Sequence, residues 1–119
     1  MLYVTFHNYK NDFDHYYDDA RFNNLDELKE FLVKTAETRN KTPRHSKWWN
    51  SPVGVNRKDN RGWFRVHGTG ECYSFWLKKV KTENGIIVFE ENNYCSPKFI
   101  DFLENVKETI DKEPVYGDL

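Results

Sequence analysis

Arg65, His67 and Glu71 stand close together and carry the groups that general acid–base cleavage of RNA requires: a cation for phosphate, an imidazole to move a proton and a carboxylate. Tyr73 and Lys78 follow nearby. A histidine in that role needs a perturbed pKa and a hydrogen-bonded partner, which spacing does not supply, so these three are candidates for catalysis without a motif behind them. A second set has different chemistry. Trp63, Arg65, His67, Trp76 and Lys78 combine flat rings, on which bases stack, with cations that neutralise phosphates and release their counterions. Trp48 and Trp49 add two adjacent rings beside Arg44, His45 and Lys47. Two neighbouring tryptophans cannot both face inward from a regular strand, so one is expected to cover the core, and the other either stands in solvent as an interface anchor or folds with it over the end of the sheet.

Other constellations are poorer. Asp12, Asp14, His15, Asp18 and Asp19 offer oxygen donors, but counting from Asp12 puts Tyr16 and Tyr17 at the fifth and sixth positions, where a calcium loop wants a donor and a glycine. The cluster reads as a solvated acidic loop or as a patch that meets a basic partner. His7, His15 and His45 show no metal-ligand spacing, and no Walker A loop, dinucleotide fingerprint, nucleophile elbow or H-E-x-x-H occurs, so no metal and no cofactor are expected. Cys72 and Cys95 form no C-x-x-C pair and sit beside aromatics, where burial disfavours the thiolate.

The elements that must position these residues follow from periodicity. Residues 2–6 suit an opening strand, followed by a long polar and aromatic loop. Asn24 with Glu27 three residues on marks a helix start, and Leu25, Leu28, Phe31, Leu32 and Ala36 recur at helical spacing to about Arg39. Residues 40–52, with Pro43 and Pro52, read as an ordered loop. Residues 53–56, 63–67 and 72–81 read as strands, separated by turns at residues 57–61, with Asp59, Asn60 and Gly62, and at Gly68, Thr69 and Gly70. Asn84 and Gly85 form a hairpin signal before a further run from Ile86. Ser96 and Pro97 open a second helix with the stripe Phe99, Phe102, Leu103, Val106 and Ile110, ended by Pro114. The expectation is an α+β domain over residues 1–113, an antiparallel meander with two helices on one face, and a tail at 114–119. Parity then directs Phe64, Val66, Tyr73, Phe75 and Leu77 to the helices and leaves Trp63, Arg65, His67, Trp76 and Lys78 on the open face.

Charge is sorted along the chain although its net value is −1. Residues 32–81 hold all four tryptophans and twelve bases against three acids, while both flanks are acidic. The 119 residues suit a single core, and a 17% aromatic share compensates for a 38% hydrophobic content. With no long apolar run and no signal-like start, a soluble, cytoplasmic protein without a membrane partner is expected.

The strand, helix, meander, helix order resembles small bacterial ribonuclease toxins, a likeness of architecture that transfers no site. The richness in Asn, Lys, Tyr and Phe resembles proteins of phages and mobile elements in AT-rich bacteria. The reading favoured here is a small non-enzymatic binding protein that docks on nucleic acid or a nucleoprotein enzyme through the basic, aromatic sheet face. The alternatives are a metal-independent ribonuclease using Arg65, His67 and Glu71, and an inhibitor whose acidic surfaces imitate nucleic acid.

Overall fold

The computed structural model describes residues 1–9, 15–39, 43–67, 74–82, 84–85, 87–88 and 94–112. In chain order they form β1 (Leu2–Tyr9), β2 (His15–Phe22), α1 (Leu25–Arg39), β3 (Val53–Asn56), β4 (Arg61–His67), β5 (Ser74–Thr82) and α2 (Pro97–Lys112). The strands make an antiparallel sheet in the order β2-β1-β5-β4-β3, with both helices packed on one side, which is the expected α+β class. No helix among the described residues is long and apolar enough to cross a membrane.

Both helices begin where the sequence signals them. Asn24 Oδ1 accepts the Glu27 backbone N–H at 3.0 Å, and the Glu27 carboxylate reaches back to accept the Asn23 backbone N–H at 2.9 Å. That reciprocal pairing satisfies helix donors that have no partner of their own, and the Asn23 backbone bond holds Glu27 below the usual carboxylate range. At α2, Ser96 Oγ accepts the Phe99 N–H at 3.2 Å, with Pro97 at the first helical position, where its missing N–H costs nothing.

Alternation sorts the strands. Leu2, Val4 and Phe6 of β1, Phe64 and Val66 of β4, and Leu77 and Val80 of β5 are buried against Leu28 and Leu32 of α1 and Phe99, Leu103 and Val106 of α2. Phe31 of α1 lies between Phe6 and Phe22, with ring centroids 5.4 Å from each.

Several local expectations are corrected. The segment expected to be a loop after residue 6 contains an edge strand: β1 continues to Tyr9 and pairs with β2 from Leu2↔Phe22 to Tyr9↔His15. Gly62 belongs to β4 and not to the preceding turn. That turn is closed instead by Asn60 in a left-handed conformation, φ 53°, and by reciprocal Asn56 and Asp59 side-chain bonds. Gly85 does take positive φ, 72°, yet Ile87 and Val88 form no strand after it; Ile86 and Phe89 lie outside the described residues, as do 68–73 and 113–119. At the start of β4, Asn60 and Arg61 pair with Tyr94 and Cys95, the Cys95 N–H donating to the Asn60 carbonyl at 2.7 Å.

Parity also changes within β5. Thr5 opposes Lys79 while Phe6 opposes Leu77, so Lys78 is the extra residue of a bulge. Beyond it the alternation reverses: Val80 turns to the core, and Lys79 and Lys81 become exposed.

Candidate functional site

Residues directly opposite one another on antiparallel strands share a face, and strands lie roughly 4.8 Å apart. The registers therefore place Tyr17, His7, Trp76 and Arg65 in one row across β2, β1, β5 and β4, on the side away from the helices. The row is in mutual contact at both ends. The Tyr17 and His7 rings stack with centroids 4.8 Å apart at 18°, and the Arg65 guanidinium lies 4.8 Å over the Trp76 ring. The Arg65 and Trp76 packing encloses Arg65 Nε and Trp76 Nε1, which have no hydrogen-bond partner among the described residues.

Trp63, two residues from Arg65 on the same side of β4, extends this surface toward β3. Gly54 opposes it in register, and a Cβ on Gly54 would strike the Trp63 indole, so the glycine makes room for the ring to lie across the neighbouring strand. Trp63 remains 37% exposed.

A second zone adjoins the row. Tyr3, Thr5, Asp19, Lys79 and Lys81 line a shallow depression of about 300 Å³. Thr5 Oγ1 donates to Asp19 Oδ1 at 2.7 Å, and Lys81 Nζ sits 5.9 Å from the Tyr3 ring centroid. Arg21, exposed, opposes Tyr3 from β2. Neither Lys79 nor Lys81 makes an ion pair among the described residues, although a carboxylate lines the same depression.

Histidines couple the two strands of the first hairpin. His7 Nε2 and His15 Nδ1 are 2.9 Å apart, so one ring donates to the other. Burial, then the charges of His15 and Lys78, lower the pKa of His7 below the ordinary value of 6.5.

Of the residues singled out from the sequence, Trp63, Arg65 and Trp76 come together as expected. His67 occupies a register position opposite Ser74, and Lys78 sits on the bulge, where its charge is felt at His7. Glu71, Tyr73, Asp12 and Asp14 lie outside the described residues. Of the two arrangements open to Trp48 and Trp49, the rings take the divided one: Trp48 is 76% exposed with Lys47 Nζ 4.9 Å from its ring centroid, whereas Trp49 packs against the core. Arg44, however, is buried and does not flank the exposed ring in solvent. Asp18 and Asp19 do not form one acidic patch, because consecutive strand residues face opposite sides. Asn8 Nδ2 donates to Asp18 Oδ2 at 2.8 Å on the helix side, and Asp19 takes the Thr5 bond on the other.

Sequence reasoning missed Tyr17, His7, Tyr3, Arg21, Lys79 and Lys81, whose common face appears only once β2 is paired and the bulge is placed. The adjacent Tyr16 and Tyr17 were the available signal, since tyrosine favours strands. Among the described residues no group of three or more His, Cys, Asp or Glu could hold a metal ion. Cys95 is buried, with its thiol pushed up to about 12 by desolvation, and is no nucleophile near neutral pH. No protein-family model, curated protein or solved structure matches the chain.

Proposed function

We propose that this chain is a small non-enzymatic binding protein that docks on nucleic acid through its open sheet face. The observation that carries the reading is the row Tyr17, His7, Trp76 and Arg65, three rings and a guanidinium plane held in register across four strands, with Lys79, Lys81 and Arg21 beside it. Planar side chains stack bases regardless of sequence, at roughly 1 to 3 kcal/mol per base, while the neighbouring cations supply the salt-dependent attraction to phosphate. Arg65 Nε and Trp76 Nε1, buried and without a hydrogen-bond partner among the described residues, carry a cost that an ordinary solvated surface pair does not. Such a cost is typical of sites kept for function. A cytoplasmic setting, where nucleic acid is present and a thiol such as Cys95 stays reduced, accompanies this reading.

Neither rival has comparable support. Each helix carries four carboxylates and three cations, and Arg57 engages Asp101 at 2.6 Å and Glu104 at 2.7 Å on α2, so the carboxylates of the two helices are interleaved with cations, which favours mimicry of nucleic acid less. Of the ribonuclease candidates, Arg65 is packed on Trp76.

The test is a titration of fluorescently labelled mixed-sequence oligonucleotides, followed by anisotropy across a salt series. The expected result is binding at low salt that falls steeply toward physiological salt, with quenching of tryptophan emission. No binding at low salt would remove nucleic acid as the partner, and capture of a protein from nuclease-treated host extract would replace it with a protein surface.

A further inference from the structure

Resting on the nucleic-acid reading of the same face, we infer that the ligand is single-stranded RNA, and that Asp19, held by Thr5, accepts a hydrogen bond from a ribose 2′-hydroxyl. Three observations lead there.

The first concerns strandedness. Reading a duplex requires an element that enters a groove, a helix or a two-stranded ribbon, while bases inside a duplex are already stacked on one another and closed to protein rings. Here both helices lie behind the sheet with their apolar stripes buried. What faces outward is a sheet surface with ring planes in a row, which only unpaired bases can use.

The second concerns the spacing between the row and the depression. Thr5 precedes His7 by two residues and Tyr3 precedes it by four on β1, so at roughly 3.4 Å per residue the depression begins about 7 Å from the ring row. A splayed nucleotide covers that interval with its sugar and phosphate when its base lies on the rings. Its phosphate then meets Lys79 and Lys81, neither of which makes an ion pair among the described residues.

The third is the carboxylate itself. A negative charge lining a phosphate-binding depression opposes a polyanion, and this one does not neutralise the lysines beside it. Thr5 Oγ1 occupies one of its oxygens and fixes its direction at 2.7 Å. An ionised carboxylate has about four acceptor positions and no donor, so capacity remains for a donor from the ligand. At the sugar, RNA offers a hydroxyl donor and DNA offers none. With Oδ1 engaged by Thr5, Oδ2 is open to a single hydroxyl donor from the ligand.

The experiment compares a labelled uridine 12-mer RNA, the deoxyuridine 12-mer of identical base sequence and a labelled 12-base-pair DNA duplex, titrated with the full chain and with Asp19→Ala and Thr5→Val. Both residues lie on the hairpin of the edge strand, and Asp19 is exposed, so the variants are expected to fold; circular dichroism checks it. The full chain is expected to prefer RNA over its DNA counterpart about tenfold, the ratio that one hydrogen bond to a charged group supplies, and to bind the duplex most weakly. Asp19→Ala should bring the two single strands within about twofold, with DNA bound as well or better because a repelling charge is gone. Thr5→Val should reduce the preference partway. Equal affinity of the full chain for the RNA and DNA 12-mers, or a preference that survives Asp19→Ala, overturns the assignment to ribose. Duplex binding that matches single-strand binding overturns the strandedness. Both results leave nucleic-acid binding by this face standing, whereas the absence of binding to all three probes overturns that underlying reading and the RNA assignment with it.

Discussion

Arg65 on β4 lies flat over Trp76 on β5, its guanidinium carbon 4.8 Å from the indole centroid and the two residues directly opposed in register. The pair is planar, cationic and fixed by the sheet, so its contribution depends on shape as well as charge. Trp76→Ala and Arg65→Ala are each expected to weaken oligonucleotide binding about tenfold, in line with the loss of one stacked base. Arg65→Lys should fall between them and the full chain, because it keeps the charge and loses the plane. Anisotropy titrations at one fixed salt concentration measure all three; full affinity in Trp76→Ala would place the base platform elsewhere.

Trp48 and Trp49 should separate cleanly by stability. Trp48 is 76% exposed, so Trp48→Ala is expected to change unfolding free energy by no more than about 0.5 kcal/mol. Trp49 packs against the core from a half-buried position, and Trp49→Ala should cost about 2 to 3 kcal/mol. Urea denaturation gives both values. Acrylamide should quench the exposed ring, and its accessible fraction should fall in Trp48→Ala and not in Trp49→Ala.

His7 makes stability depend on pH in a defined direction. His15 and Tyr17 face it from β2, Trp76 opposes it from β5, and Lys78 reaches it from the bulge. Burial and these charges put its folded pKa below 6.5, so as pH falls the unfolded chain takes up the proton first. The stability contributed by neutral His7 is therefore present above about pH 6.5 and is lost as pH falls through the folded value. Urea midpoints for the full chain and His7→Gln, compared at pH 7.5 and 5.5, should show a larger drop in the full chain. Equal drops would assign the pH response to other groups.

Two glycines are held by close approach. A Cβ at Gly62 would sit 2.5 Å from Leu103 Cδ1, so Gly62→Ala must displace the buried Leu103 side chain and should cost about 1 to 3 kcal/mol. Gly54→Ala meets the Trp63 ring instead, and that partly exposed ring can swing into solvent. Its signature should be a red-shifted tryptophan emission with weaker oligonucleotide binding and a smaller stability loss than Gly62→Ala.

Much of the frame was legible because its signals are local. Asn24 with Glu27 and Ser96 with Pro97 placed both helix starts, since a cap is a bond between residues three apart and needs no tertiary partner. The apolar stripe of α2 was readable for the same reason, and the strand at residues 53–56 was correct to the residue. β2 was not legible. Its sequence, HYYDDARF, carries two acids at its centre and no apolar alternation, because it is an edge strand with little core to cover. Asp18 faces the helix side there and takes a hydrogen bond from Asn8, which no pattern of hydrophobicity announces.

By itself, the sequence determined where both helices start, the strand at residues 53–56 and that Trp63, Arg65 and Trp76 share a face, because those features rest on bonds and alternation within a few residues of chain. Only the tertiary structure decided that Tyr17 and His7 complete their row, that a bulge at Lys78 turns Lys79 and Lys81 outward, and that Thr5 aims Asp19 into the same depression. The physical reason is register. A one-residue slip between strands reverses every side chain beyond it, and that slip is set by pairing between segments some seventy residues apart.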